Sequence, residues 1–295
     1  MKARERILPY LFLVPALALS LLVVGYPFYI DFYYSVQKIS SYFLPSQGFV
    51  GLNNFIAVLN DPIFQIALRN SAILSGLSAV FQSVIGLAVA SFLSIKFRGG
   101  TIVKAFMLFP WIMPQPISAI IWKAILAPQY GVGVLNTVLY NFGWIHQDIN
   151  WLGDPVLVWP VVVSINVWQN YPFYAISLLA AMTAISKSVK ESALVDGAGA
   201  WARFRYITIP EIWPILTIVN LFSIVWSFNG LGFIYTLTNG GPGYETQVVA
   251  VYTYTLMFAY QQLGQATAQA LIMIAVQLGL LFFLIRTVGS GLRKP

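Results

Sequence analysis

The sequence predicts an all-α integral membrane protein with six transmembrane helices, and three observations carry that expectation. Its 295 residues are 59% hydrophobic and only 8% charged, where an ordinary soluble domain carries roughly a quarter charged residues. Six uncharged runs divide the chain, each long enough for a helix of about 17–25 residues, the length that crosses a bilayer. The basic residues between the runs gather on alternate sides. A soluble core cannot hide so much apolar surface without very large exposed patches, so the solvent around most side chains must itself be apolar.

Taken in order, the first run spans Ile7 to Ile30 and places a helix near 8 to 31. Lys2, Arg4 and Arg6 precede it as they would a signal peptide. Its apolar stretch exceeds the usual length of about 7–15 residues and lacks a small-x-small exit, so it is read as a retained anchor. The runs Asn70 to Ile95, Ala105 to Trp122, Pro155 to Ser186 and Ile212 to Tyr244 place helices near 69 to 95, 103 to 126, 156 to 184 and 212 to 236. The last run, Thr246 to Ile285, divides in two. Gln261, Gln262, Gly264, Gln265 and Gln269 dilute its first half, which reads as interfacial, and the sixth helix is expected near 266 to 287.

Six helices put both termini on one side. Lys2, Arg4, Arg6, Lys96, Arg98, Lys104, Lys187, Lys190, Arg203, Arg205, Arg286, Arg293 and Lys294 share the N-terminal side, against Lys38, Arg69 and Lys123 opposite. The positive-inside rule makes the first side cytoplasmic. The loops around 34 to 66, 127 to 154 and 237 to 262 then face outward, and the segment from Ser186 to Glu211 faces inward. The absence of cysteine excludes disulfides and thiolate chemistry, and the single histidine, His146, reads as a solvated loop residue rather than part of a metal centre. No glycine is followed by lysine, so a phosphate-binding Walker loop is excluded. The net charge of +7 is spread between apolar runs rather than gathered as a nucleic-acid footprint.

The stretch from Glu191 to Pro210 is the most informative. Ser188 and Glu191 have capping-box spacing, which would start a short helix just after the fourth span. Gly197 and Gly199 permit a sharp bend, and Pro210 limits the helix that follows. Two readings stay open on chemistry alone. One is an amphipathic loop at the headgroups, with Arg203 and Arg205 on phosphates and Trp201 in the interface. The other is a rigid knob for a partner's groove.

Glu191, Asp196, Gly197, Ala198, Phe204, Ile207 and Pro210 stand at the spacing of the EAA motif, and the segment resembles that motif in membrane subunits of binding-protein-dependent ABC importers. Ser192 stands where Ala is usual. The resemblance covers about residues 66 to 288. Phe109-Pro110-Trp111, Ile120 to Lys123, Gly131 to Asn136 and Thr238-Asn239-Gly240-Gly241-Pro242-Gly243 look like the sugar-importer branch that contains the first membrane subunits of maltose and glycerol-3-phosphate systems. It implies the type I importer permease fold: a helix and external loop over 1–65, a transmembrane domain over 66–288 with a cytoplasmic coupling loop at 187–210, and a cytoplasmic tail over 289–295. It also implies ATPase coupling through Glu191, Ala193, Asp196, Gly197, Ala198, Gly199, Phe204 and Pro210. The implied partners are a second permease, two ATP-binding subunits that hold ATP and Mg, and an external solute-binding protein, in a prokaryotic inner membrane. No cofactor is expected on this chain.

Spans four and five carry unusual polar content: Asn166, Gln169 and Asn170, then Asn220, Ser223, Ser227 and Asn229. Amides at membrane depth face protein or a water-filled cavity. They either bond helix to helix or meet a ligand. Trp168, Tyr171, Phe173, Tyr174 and Trp226 lie among them, and aromatic faces beside amides suit a polyhydroxylated ligand. In maltose-type members of the branch, the helices flanking the EAA loop hold the sugar. The resemblance thereby implies contacts at Asn166, Gln169, Asn170 and Phe173, and at Ser223, Trp226, Ser227 and Gly230. Neither span holds Lys, Arg, Asp or Glu, which argues against a charged solute at that site and against proton coupling; by the resemblance, glycerol-3-phosphate or another polyol-type solute stays open as the alternative cargo. An ATP-independent carrier or channel and an intramembrane enzyme are the other classes. The enzyme would need paired carboxylates or an activated nucleophile at depth, and none is apparent.

Overall fold

The computed structural model describes residues 12–95, 97–129 and 131–291, with side chains for all of these except 284 and 287–291. Lys2, Arg4, Arg6, Lys96, Arg293 and Lys294, the start of the first span and the end of the 289–295 tail lie outside the described residues. Among the described residues, four helices are long and apolar enough to cross a membrane alone, and two bent pairs qualify together, which is compatible with six crossings. The chain divides into two compact units: Met1–Gln65 with Thr253–Val276, and Ile66–Tyr252 with Gln277–Pro295.

The first unit contains helix α1 (Phe12–Ser35), whose apolar window carries no buried residue. Such a surface suits lipid or another apolar helix. Beyond α1 the chain doubles back at an antiparallel bridge between Gln37 and Phe49. Asn54, on the short helix α2 (Asn53–Leu59), donates to the carbonyls of Ser35 and Gln37, both at 2.8 Å. Those bonds satisfy carbonyls at the end of α1 that no helix can satisfy.

The second unit is arranged around helix α3 (Pro62–Leu93). Its buried face carries polar or small residues at Asn70, Ser71, Ser75, Ser78, Gln82 and Ala90 beside the apolar Phe64, Leu74 and Leu93, whereas Ile73, Leu77, Val80, Phe81, Val84 and Phe92 are exposed. That inversion follows from the solvent. Lipid tails take the apolar face at no cost, and small residues let neighbouring helices approach. At Gly86 an added Cβ would collide with the Cβ of Tyr174.

The third span, expected as one helix over 103–126, is broken into α4 (Gly100–Ile112) and α5 (Gln115–Ile125), bent by 94°. Pro114 forces Met113 out of the helical region, to φ −69° and ψ 130°, and Pro116 sits in the first turn of α5. In the outer loop, helix α6 (Val134–Asn141) presents Asn136, which donates to the carbonyls of Pro128 (2.6 Å) and Ile149 (2.9 Å) and accepts from Trp151 Nε1 (2.8 Å). The fourth span is α7 (Val158–Ala184), continuous through Pro172, and it turns by 71° into α8 (Lys187–Val195).

The fifth helix differs most from expectation. It runs as α9 (Ala200–Phe228), so it starts twelve residues earlier than 212 and ends before 236. Pro210 does not begin it. A wide turn over Phe204–Thr208, in which the Ile209 N–H reaches the Phe204 carbonyl, makes room for a proline ring within a continuing helix. After a break at Asn229 and Gly230 come α10 (Leu231–Leu237), α11 (Val249–Ala259) in the stretch expected at the interface, and α12 (Leu263–Gly291). The glycine-rich turn between α10 and α11 is pinned by α3: Asn70 Nδ2 donates to the carbonyls of Tyr244 (3.1 Å) and Glu245 (2.8 Å).

Candidate functional site

Two features of the second unit bring the candidate site residues together, a cavity at the helix breaks and a bent element beyond α7. The cavity, about 380 Å3, is lined by Trp111, Met113, Gln115, Gln169, Asn170, Trp226 and Asn229. Its position follows from backbone chemistry. Irregular backbone at membrane depth is tolerated only where protein or a water-filled hollow satisfies its polar groups. The α4–α5 break supplies Met113 and Gln115 to the wall, and the α9–α10 break supplies Asn229. Gln169 Nε2 donates to the freed Met113 carbonyl at 3.0 Å.

Of the eight residues expected to meet a substrate, Gln169, Asn170 and Trp226 line this cavity. Phe173 stands beside them, stacked on Trp111 at 5.7 Å between ring centroids and 5.1 Å from Trp226. Asn166 and Ser223 are buried behind the wall, both bonded to Gln82. Ser227 is buried, and the Ser227 carbonyl accepts from the Gly230 N–H at the α9–α10 break. The expected aromatic group divides as well. Trp168 and Tyr171 turn to the opposite face of α7, where they line a larger groove of about 790 Å3. Nearly all of that groove is apolar side chain, including Leu77, Phe81 and Val163, so it offers lipid a surface but a hydroxylated solute few bonds. Tyr174 OH donates to Asn220 Oδ1 at 3.0 Å.

Sequence reasoning missed Trp111, Met113 and Gln115 as wall residues. The Pro110, Pro114 and Pro116 spacing was the available signal, because three prolines within seven residues mark a broken span. Among the described residues, no Lys, Arg, Asp or Glu lines the cavity.

The second feature is the turn from α8 into α9. The Ala198 N–H bonds the Ala193 carbonyl at 2.9 Å and the Gly197 N–H bonds the Leu194 carbonyl at 3.1 Å, a Schellman closure with Gly197 at φ +72°. This is the physical content of the Asp-Gly-Ala spacing: Asp196 ends the helix, Gly197 takes the left-handed conformation, and Ala198 closes the ring. The expected capping box is absent. Helix α8 starts at Lys187, so Ser188 falls inside its first turn and shares a 2.7 Å hydrogen bond with Ser186, while Glu191 pairs with Lys187 at 3.5 Å. Lys190 Nζ donates to the Met182 carbonyl at 2.9 Å and so fixes α8 to the end of α7. Ala193 is buried, whereas Asp196, Gly199 and Pro210 are exposed. Phe204 stacks on Trp201 at 5.6 Å. Val195 (88% exposed), Trp201 (73%) and Tyr206 (75%) project from the element. Ile207 and Ile209 pack at its root against a core of Ala90, Leu178, Met182, Ile185 and Ile212.

Comparison with known proteins gives one consistent answer. Residues 82–293 match the family described as binding-protein-dependent transport system inner membrane component. The chain is 33% identical to the trehalose/maltose transport system permease protein MalF of Thermococcus litoralis, over 90% of this chain and 86% of that one. It is 30% identical to the diacetylchitobiose uptake system permease protein DasB of Streptomyces coelicolor, over 95% and 86%. Among solved structures it superposes, with a TM-score of 0.85 and 26% identity over 99% of both chains, on a chain of a bacterial ABC transporter involved in import of the acidic polysaccharide alginate. A second structure of a bacterial alginate ABC transporter, in complex with an alginate pentasaccharide-bound periplasmic protein, matches at a TM-score of 0.81 and 25% identity, over 97% of this chain and 95% of that one. The family match covers most of the chain and the named relatives are permeases of ABC transporters: the chain is a multi-pass member of the binding-protein-dependent transport system inner membrane component family, a permease subunit of an ABC transporter.

Proposed function

We propose that the chain forms half of the translocation pathway of an ATP-driven importer for a neutral mono-, di- or oligosaccharide. An external solute-binding protein delivers the sugar, a second permease supplies the other half, and two partner subunits hydrolyse ATP with Mg. The observation that carries this reading is the uncharged cavity at two helix breaks, where Trp111, Phe173 and Trp226 offer ring faces beside the amides of Gln115, Asn170 and Asn229. Sugars present apolar ring faces and outward hydroxyls, and both find partners there. An acidic oligosaccharide or glycerol-3-phosphate would call for a cation in the wall.

Coupling follows from the bent element. The Schellman closure and the Lys190 anchor make α8 and the start of α9 rigid, and α9 continues without a loop from that element to the cavity wall. When the ATPases close, their grip on Glu191, Asp196 and the exposed Val195 and Trp201 pulls that helix and tilts the wall that carries Trp226. Both termini are cytoplasmic in this arrangement. Ala193, Gly199, Phe204 and Pro210 complete the proposed coupling element, Ala193 from its buried side.

The test is uptake of a panel of labelled sugars by the intact importer in proteoliposomes, with glycerol-3-phosphate as the charged comparison. Asn170→Leu and Trp226→Ala are expected to lower sugar uptake severalfold while the ATPases still co-purify. Unaltered uptake in both variants, or preferred uptake of the charged solute, overturns the reading.

A further inference from the structure

We propose that Gln82 is a positioning residue of the translocation site: it ties the α7 wall of the cavity to the α9 wall and sets how Asn170 and Trp226 face the solute, a claim that rests on the transport reading above. Gln82 lies on α3, is 0% exposed, and is not among the lining residues. Its Nε2 donates to Asn166 Oδ1 at 3.0 Å and to the Asn166 carbonyl at 3.3 Å. Its Oε1 accepts from Ser223 Oγ at 2.5 Å. Both amide hydrogens and the carbonyl are therefore committed, one end to α7 and the other to α9.

The link reaches the cavity on each side. On α7, the Asn166 carbonyl also accepts from Asn170 Nδ2 at 2.9 Å, which leaves the second hydrogen and the oxygen of Asn170 for the cavity. On α9, Trp226 lies three residues beyond Ser223, on the same side of the helix. A second tie runs beside the first: Ser83 Oγ at 2.9 Å and Tyr174 OH at 3.0 Å both donate to Asn220 Oδ1. One turn from Gln82, Gly86 lets α3 and α7 approach closely enough for these bonds to form. Apolar contact gives little preference among helix rotations in lipid, so a buried amide with three bonds selects one. Without it, Asn166 and Ser223 seek other partners and carry the two walls with them.

Gln82→Met removes the three bonds while keeping length and volume. In the intact importer with its external binding protein, uptake of radiolabelled maltose is expected to need a roughly three- to tenfold higher half-saturating concentration, with a maximal rate within about twofold of the parent. A second measurement reads wall geometry without transport. The chain holds no cysteine, so Trp226→Cys places one thiol on the wall, and its modification rate by a small methanethiosulfonate is followed in membranes. Adding Gln82→Met is expected to change that rate about threefold or more, whereas Phe81→Leu, on the outer groove, leaves it unchanged. An unchanged labelling rate with unchanged half-saturation overturns the proposal. So does a loss of uptake that only tracks loss of assembled complex. If the unsubstituted importer takes up no maltose, the reading for that sugar fails, and the labelling rates alone decide the role of Gln82.

Discussion

Gly197 sits at φ +72° at the end of α8, and both hydrogen bonds of the helix closure depend on that conformation. A β-branched residue there costs about 1–2 kcal/mol in the left-handed region. Gly197→Val is therefore expected to lower ATPase co-purification about fivefold or more, read from the stained ratio of subunits, while the detergent-solubilised chain stays monodisperse. Gln169 has the opposite character, since its side chain is buried and its task is local. Gln169→Leu leaves the Met113 carbonyl unpaired at the α4–α5 break, which costs about 1–3 kcal/mol, and a thermal scan in detergent should show a lower melting temperature.

Helices in this protein are shaped by what they must leave unsatisfied. Helix α3 exposes apolar residues such as Leu77, Val80 and Val84 and buries the amides of Asn70 and Gln82 and most of its hydroxyls, with Phe64, Leu74 and Leu93 among them. Its crossing with α7 depends on the bare Gly86. Gly86→Leu drives a side chain into Tyr174, with an overpacking penalty of about 1–3 kcal/mol and separation of the Gln82 and Ser83 ties from their partners. The expected outcome is loss of folded protein, measured as aggregation on size-exclusion chromatography, with Gly86→Ala milder. Broken elements obey the same rule in reverse. Pro114 opens α4–α5 and Asn229–Gly230 open α9–α10, and the freed backbone is met at a cavity rather than at lipid.

At the scale of the whole molecule, the uncharged cavity and the exposed α8–α9 element point to a division of labour among chains. In the proposed assembly, recognition chemistry sits within the bilayer, while the groups that meet the ATPases lie outside it. The proposed assembly holds two permeases and two ATPases, so native mass spectrometry of the complex purified in mild detergent is expected to give that four-chain stoichiometry. A complex that contains this chain alone and still transports would place it among ATP-independent carriers.

Composition, charge placement and the EAA spacing by themselves determined the membrane class, the family and the element between the fourth and fifth spans. Lipid as solvent constrains hydropathy strongly, and a left-handed turn admits few residues besides glycine. Tertiary structure alone decided which polar residues face the cavity and which bind helix to helix. Asn166 and Asn170 share a helix face four residues apart, yet one is tied to Gln82 and the other lines the hollow. Helical periodicity supplies a direction for each side chain but says nothing of what stands there, and the neighbour in question lies 84 positions away in the chain. The proline spacing marks a break near Pro114, but its 94° angle was out of reach, because a proline permits a kink and only packing sets its angle.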